Sequence, residues 1–312
     1  MVAEQKPQFG IAAPQIHTEF PVNPPAIQAY VQRAEALGFH SLWVQEQGRL
    51  KSVAGALEAV SLLSYAAALT HRILLGNAVF LLNLRNPIQL AKAIASLDQL
   101  SHGRVIFGAG LGAVTRLYAA YGLPAERRVA RFNEGLTLIK KLWTEDNVNF
   151  DGQFWQLKEA SLLPKPVQKP HPPIWFGAHA EPAIRRAARM GDGFIGAGSC
   201  STGEFKELVE CLGRALVEAG RDAANFPIAK RVYIGVDKDR ERALRRTREW
   251  FGHYYGVPEL ADRVAVWGSV EECAHKLEEL VSAGARLLVF NPMFDLPEQM
   301  EVLAEQVIPR LR

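Results

Sequence analysis

The segment Gly177–Pro182, GAHAEP, sits between an apolar run and a helical one, and its composition describes an anion site. A strand ending in Gly177, Ala178 and His179 ahead of a helix opening Glu-Pro leaves several backbone N–H groups facing the same way, and such a terminus accepts a phosphate. Glu181 opposes an anion there unless it points away. A second cluster, GAGLG at 108–112, follows another apolar run. Its third glycine is misplaced for a dinucleotide fingerprint. It reads as backbone cleared for a flat ring, or as a tight exit from a crowded fold. Gly196-Ala197-Gly198 repeats the small-residue pattern. Acid–base candidates are sparse: Glu46 is a candidate acid or base, and equally a carboxylate bonded to strand-end amides. Gln47 is suited only to polar contact, because an amide does not exchange a proton near neutral pH. Cys200 has no basic partner in its segment and reads as a bystander thiol. No metal-ligand spacing, nucleophile elbow or P-loop is present, so the hard chemistry falls to a bound group.

These segments must be brought together by the elements that precede them. Residues 72–112 read as strand, helix, strand: an apolar run Ile73–Leu75, a helix from about Asn86 to Leu100, and Val105–Phe107. Asn86-Pro87 starts that helix and Ser101-His102-Gly103 stops it. A right-handed parallel crossover follows, with both strand ends on one face. The same unit recurs along the chain. Strands are expected at Phe9–Ala13, Ser41–Val44, Ile174–Phe176, Phe194–Ile195, Ile228–Val236 and Leu287–Phe290, and helices at about 24–37, 54–69, 128–143, 181–190, 203–219, 239–255, 270–282 and 297–311. Eight strands each followed by a helix predict an α/β fold, a (β/α)8 TIM barrel in a single domain, with its site at the C-terminal strand ends. A hairpin insertion after strand four is expected at 147–157, around Asp151-Gly152. The five prolines between Leu162 and Ile174 make a rigid crossing loop. The charge-rich helix at 239–255 reads as a solvated outer face.

Composition sets the outer limits. The 312 residues carry 36 Lys+Arg against 33 Asp+Glu, a net charge of +3, which lends no support to nucleic-acid binding. Cys200, Cys211 and Cys273 cannot all pair, so a reducing compartment is expected. No apolar run reaches the roughly twenty residues of a membrane span, and the N-terminus lacks a leader pattern. A cytoplasmic protein without membrane attachment is the expectation.

Four segments carry a resemblance: AEALGFHSLWV, the whole of 72–112, RFNEGLTLIKKLWTED, and LLPKPVQKPHPPIWFGAHAEPAIRRAARMGDGFIG. On these the chain resembles the bacterial luciferase-like superfamily of oxidoreductases that use FMN or coenzyme F420. The resemblance implies a flavin or deazaflavin ring at the barrel mouth, backed by a non-prolyl cis peptide at Ala78-Val79. It implies Gly110 and Gly112 on the ring's other side, Gly177, Ala178 and His179 at the phosphate, and Gly196 and Gly198 assisting. Glu46 and Gln47 become the catalytic candidates, the substrate a small organic molecule, and the partners a flavin or F420 reductase and a second copy of the chain. The dimer contact implied runs through helices beside strands two and three, with the Ala-rich helix at 54–69 suited to it. A catalytically silent FMN- or F420-binding protein is the alternative. Two departures stand out: Gln47 replaces the histidine of an Asp-His pair, and Ala113 replaces the glutamate of sugar-phosphate-oxidising relatives.

Overall fold

The apolar runs form eight parallel strands: β1 (Gln8–Ala12), β2 (Ser41–Val44), β3 (Leu74–Asn77), β4 (Val105–Gly110), β5 (Ile174–Phe176), β6 (Gly193–Gly196), β7 (Ile228–Val236) and β8 (Leu287–Pro292). In the computed structural model, which describes residues 6–46, 55–112 and 116–311, each pairs with its neighbour in chain order. β4 pairs β5 and β8 returns to β1, closing a barrel. Two short strands, Phe80–Leu81 and Val266–Gly268, lie alongside β4 and β7.

The longer helices are α1 (Pro24–Ala36), α2 (Ala59–Leu69), α3 (Pro87–Leu100), α4 (Arg128–Thr144), α5 (Glu181–Met190), α6 (Thr202–Glu218), α7 (Arg240–Tyr255), α8 (Val270–Ser282) and α9 (Leu296–Val302), with short ones at Arg116–Ala120 and Leu260–Val264. Their starts follow their caps. The Asn86 side chain accepts from Ile88 and Gln89 N–H at the head of α3, and Ser201 and Ser269 form capping boxes with Glu204 and Glu272. α2 begins five residues later than expected, because Gly55–Ala56 pairs antiparallel with Ile16–His17 and Glu58 caps the helix through Ser61 N–H. Its Ala59, Ala66 and Ala67 are buried on the chain's own barrel, which accounts for the helix's composition within one subunit. α9 is shorter than expected and continues as a π turn and a 3-10 turn to Leu311.

Two tryptophans plug the barrel interior. Trp43 and Trp175 meet with ring centroids 5.7 Å apart, surrounded by Ile106, Ile195, Ala229, Leu287 and Val289. Their bulk explains glycine in the facing strands: a Cβ at Gly76 would stand 2.6 Å from the Trp43 ring, and one at Gly193 2.7 Å from Trp175. A second layer packs the outer strand faces against the helices, with Phe107 edge-on to Trp143 at 5.3 Å.

Buried polar side chains lock the connections. The Arg104 guanidinium donates to the carbonyls of Ala67, Thr70, Ile73 and Ser101 and to Thr70 Oγ1, at 2.7–3.0 Å. Asp98, fully buried, accepts from Gln168 N–H and Nε2 and so pins the proline-rich loop. Val148–Asp151 and Gln156–Ala160 pair antiparallel after α4, and Glu134 holds their turn through the N–H groups of Gln153, Phe154 and Trp155. The charges of α7 form exposed ion pairs, among them Arg242–Asp237 and Arg248–Asp262. The three cysteines are free, and no helix of the described residues is long and apolar enough to cross a membrane.

Candidate functional site

Because all eight strands run the same way, their C-terminal ends gather at one mouth. Two cavities open there, and both have Ala78 and Arg231 in their walls. The first, about 230 Å³, is bounded by Ala78 and Val79 after β3 and by Gly110 and Gly112 at the end of β4. Gly177, Ala178 and His179 after β5, with Gly196 and Gly198 at the end of β6, complete it. The nine residues expected around a cofactor thus border a single space. The second cavity, about 290 Å³, lies among the ends of β1, β2 and β8 and the last turns of α7.

The Ala78–Val79 peptide is cis, as the resemblance implied for that position. The glycines around it behave differently from expectation. β4 continues through Gly110 instead of ending at Phe107, because Asn77 bonds Gly108 at both its N–H (2.8 Å) and its carbonyl (3.2 Å), and β5 pairs alongside. A Cβ on Gly110 would lie 2.3 Å from Val79 Cγ2, and one on Gly108 or Gly177 3.1 Å from Val79 Cγ1. At Gly110 and Gly177 the room is filled by the Val79 isopropyl group and at Gly108 by the Asn77 carbonyl, 1.9 Å from where a Cβ would stand; Gly110 and Gly177 present bare backbone to the cavity.

Around His179 the electrostatics favour an anion. α5 has Ala180 at its N-cap with no side-chain hydrogen bond; Pro182 has no N–H and Ala183 N–H donates to the Ala180 carbonyl, so Glu181 N–H is the amide left uncapped in the first turn. Glu181 turns outward and pairs with Arg185 at 2.9 Å. Lys230, on β7 and 2% exposed, donates to the carbonyls of Ala197 and Arg231 and lies beside Cys200 and Glu204. Burial pushes its ammonium down to about 8. Burial, and then Lys230, also hold His179 below the usual imidazole range, so His179 is neutral at neutral pH. Burial raises the Cys200 thiol, which accords with a bystander.

Glu46 borders neither cavity of the mouth. Its carboxylate accepts from Leu81 N–H at 2.5 Å and from Arg85 Nε at 2.6 Å, in a separate groove where Arg85 also pairs with Glu58. Burial raises the Glu58 carboxyl, but Arg85 and the Ser61 and Val60 amides outweigh it and bring it down to about 2. Gln47 and Ala113 lie outside the described residues. Among the described residues no group of three His, Cys, Asp or Glu is placed to hold a metal ion.

Sequence reasoning missed the most charged residue of the mouth. Arg231 donates from Nη1 to Gln45 Oε1 and from Nε, at 3.2 Å, to Asn291 Oδ1, and its guanidinium lies 5.0 Å from the Tyr233 ring centroid. The available signal was the Lys-Arg pair inside the apolar strand IAKRVYIGV. Alternation puts Arg231 on the same face as Ala229, which belongs to the barrel interior.

Relatives share this architecture over their whole length. An F420-dependent glucose-6-phosphate dehydrogenase of Beutenbergia cavernae is 33% identical, covering 93% of this chain and 94% of the relative. Another of that name, from Amycolatopsis mediterranei, is 29% identical over 93% of this chain and 95% of its own. Among solved structures, an F420-dependent secondary alcohol dehydrogenase in complex with an F420-acetone adduct superposes with a TM-score of 0.84 at 22% identity, over 98% of this chain and 99% of that one. The oxygenating constituent of 3,6-diketocamphane monooxygenase from Pseudomonas putida, in complex with FMN, gives 0.80 at 19% identity, over 97% and 98%. The pattern of the luciferase-like monooxygenase family itself matches residues 8–287, from the first residue of β1 to the first of β8. That match takes in the barrel from its first strand to the start of its last, and the chain belongs to the luciferase-like monooxygenase family.

Proposed function

We propose that the chain is an oxidoreductase that holds F420 or FMN at the first cavity and acts on a small organic molecule admitted through the second. The observation that carries this reading is the convergence of nine strand-end residues, seven of them Gly or Ala, on one space beside a second cavity. The residues fit such a group: bare backbone at Gly110, Gly112 and Gly177, an uncapped Glu181 amide at the head of α5, and a buried ammonium behind the loop at Ala197. The names of the relatives at 29–33% identity favour F420. Ala113 in place of a glutamate argues against oxidation of a sugar phosphate. The bound group supplies the electrons, by hydride transfer or by activating oxygen, with a reductase to recharge it.

The chain's own residues bind, orient and exclude water. The loop at Ala178 and His179 and the Glu181 N–H at the head of α5 receive the phosphate, Val79 packs beside Gly110 and Gly177, and the tryptophan pair closes the barrel beneath the mouth. Titrating the purified protein separately with FMN and with F420, then assaying reduction of an acceptor, tests the reading. Binding of neither sinks it, and binding without turnover leaves a silent binding protein.

Affinity for the phosphate-bearing group is expected to fall as pH rises through about 8, where Lys230 loses its charge. Stability of the free protein should move the other way. The folded-state value of Lys230 lies below its ordinary 10.5, so the unfolded chain binds more protons between about 8 and 10.5, and this group's contribution to stability rises across that window. Cofactor titrations at pH 7 and pH 9 check the first sign and urea midpoints across the same range the second. His179→Gln should change the affinity little at pH 7.

For Glu46 we propose a positioning role: it fixes Leu81 and Arg85 just after the cis peptide. Glu46→Gln should cost about 1–3 kcal/mol, because it weakens a buried charge-assisted pair, and leave the pH dependence of kcat with both limbs. Loss of a limb at unchanged stability would instead make Glu46 the acid or base.

A further inference from the structure

Arg231 is a half-buried cation with no carboxylate within ion-pair distance among the described residues. Its hydrogen-bond acceptors are two neutral side-chain amides, Gln45 from β2 and Asn291 from β8. Burying a charge without a counter-charge is costly. The amides hold the guanidinium plane between two strand ends but do not neutralise it. Among the described residues the second cavity has no acidic residue in its wall, and the one other basic side chain there is His253 at the exposed rim. Trp43, Trp250, Val289, Met293 and Phe294 make an apolar part of the wall, and Gln15, Thr18 and Tyr254 add neutral polar groups to it.

Resting on the two-cavity reading above, we infer that the second cavity takes a small substrate with an apolar or aromatic body and one planar oxyanion, such as a carboxylate, seated on Arg231. A guanidinium matches a planar pair of oxygens. The cavity, about 290 Å³, suits a compact monoanion. Arg231 also borders the first cavity, so the charged end of the substrate lies at the junction where the two spaces meet.

Benzoate and benzamide, alike in shape and different in charge, are the probes. Each is titrated calorimetrically into the protein alone and into the protein saturated with F420 or FMN. Benzoate is expected to bind at least about tenfold tighter than benzamide in both states, since a charge-assisted pair replaces a neutral one. Arg231→Met should bring the ratio close to one. Should Arg231→Met not fold, Arg231→Lys, which keeps the charge and loses the planar fork, should weaken benzoate yet preserve its preference over benzamide. Equal affinities in the wild type overturn the inference, as does a preference that survives Arg231→Met. A preference that vanishes once cofactor is bound also overturns it, because Arg231 then serves the cofactor. Benzoate preference in a protein that binds neither cofactor supports this inference and sinks the oxidoreductase reading; cofactor binding without benzoate preference does the reverse.

Discussion

Gly110→Ala is expected to destabilise the protein by about 1–3 kcal/mol and to weaken cofactor binding by about tenfold or more, although it adds a single methyl group. The new Cβ would stand 2.3 Å from Val79 Cγ2, well inside contact distance. Val79 is half-buried and its open side is the cavity, so the side chain or the Ala78–Val79 segment must shift into the space that it borders. The companion variant makes the argument testable. Val79→Ala removes the atoms in conflict, so Gly110→Ala/Val79→Ala should be more stable than the sum of its single changes by about 1 kcal/mol or more. Urea midpoints and cofactor titrations of the four proteins measure this coupling. Simple additivity would show that Gly110 does not work through Val79.

Arg104→Met should cost about 3 kcal/mol or more, the largest effect expected from any change remote from the mouth. Five acceptors are served by one guanidinium: the last carbonyls of α2, the loop to β3 and the end of α3 all converge on it. Arg104 is 7% exposed. Its removal strands several buried acceptors, each worth about 1–3 kcal/mol if left unmade. Lysine cannot substitute fully, because an ammonium has three donors and no planar fork. Arg104→Lys should therefore fall between wild type and Arg104→Met in urea midpoint, with FMN or F420 affinity unchanged in both. A midpoint for Arg104→Met within experimental error of wild type would mean that the loop does not depend on this cluster.

Several features of the chain were legible because the physics behind them is local. Asn86-Pro87 announced a helix start, and the Asn86 side chain caps α3. The alternation of apolar runs with helical periods predicted eight strands in the order that they take around the barrel. GAHAEP announced a strand end and a helix head, with Glu181 turned away. Short-range reasoning failed where partners are distant in sequence. It ended β4 at Phe107, whereas Asn77 extends it to Gly110 from 31 residues away. It began α2 early, unaware that Gly55–Ala56 would pair with Ile16–His17.

What the amino-acid order determined by itself is the barrel and the set of small residues at its mouth, since strand propensity, capping and glycine's freedom are properties of neighbours along the chain. What only the tertiary structure decided is what occupies the space those residues leave. Val79 fills the gap at Gly110 and Gly177, Glu46 is tied to Arg85, and Arg231 stands in the mouth between Gln45 and Asn291. Excluded volume and charge pairing act between groups that closure of the barrel brings together, and the spacing of residues in the chain does not contain those distances.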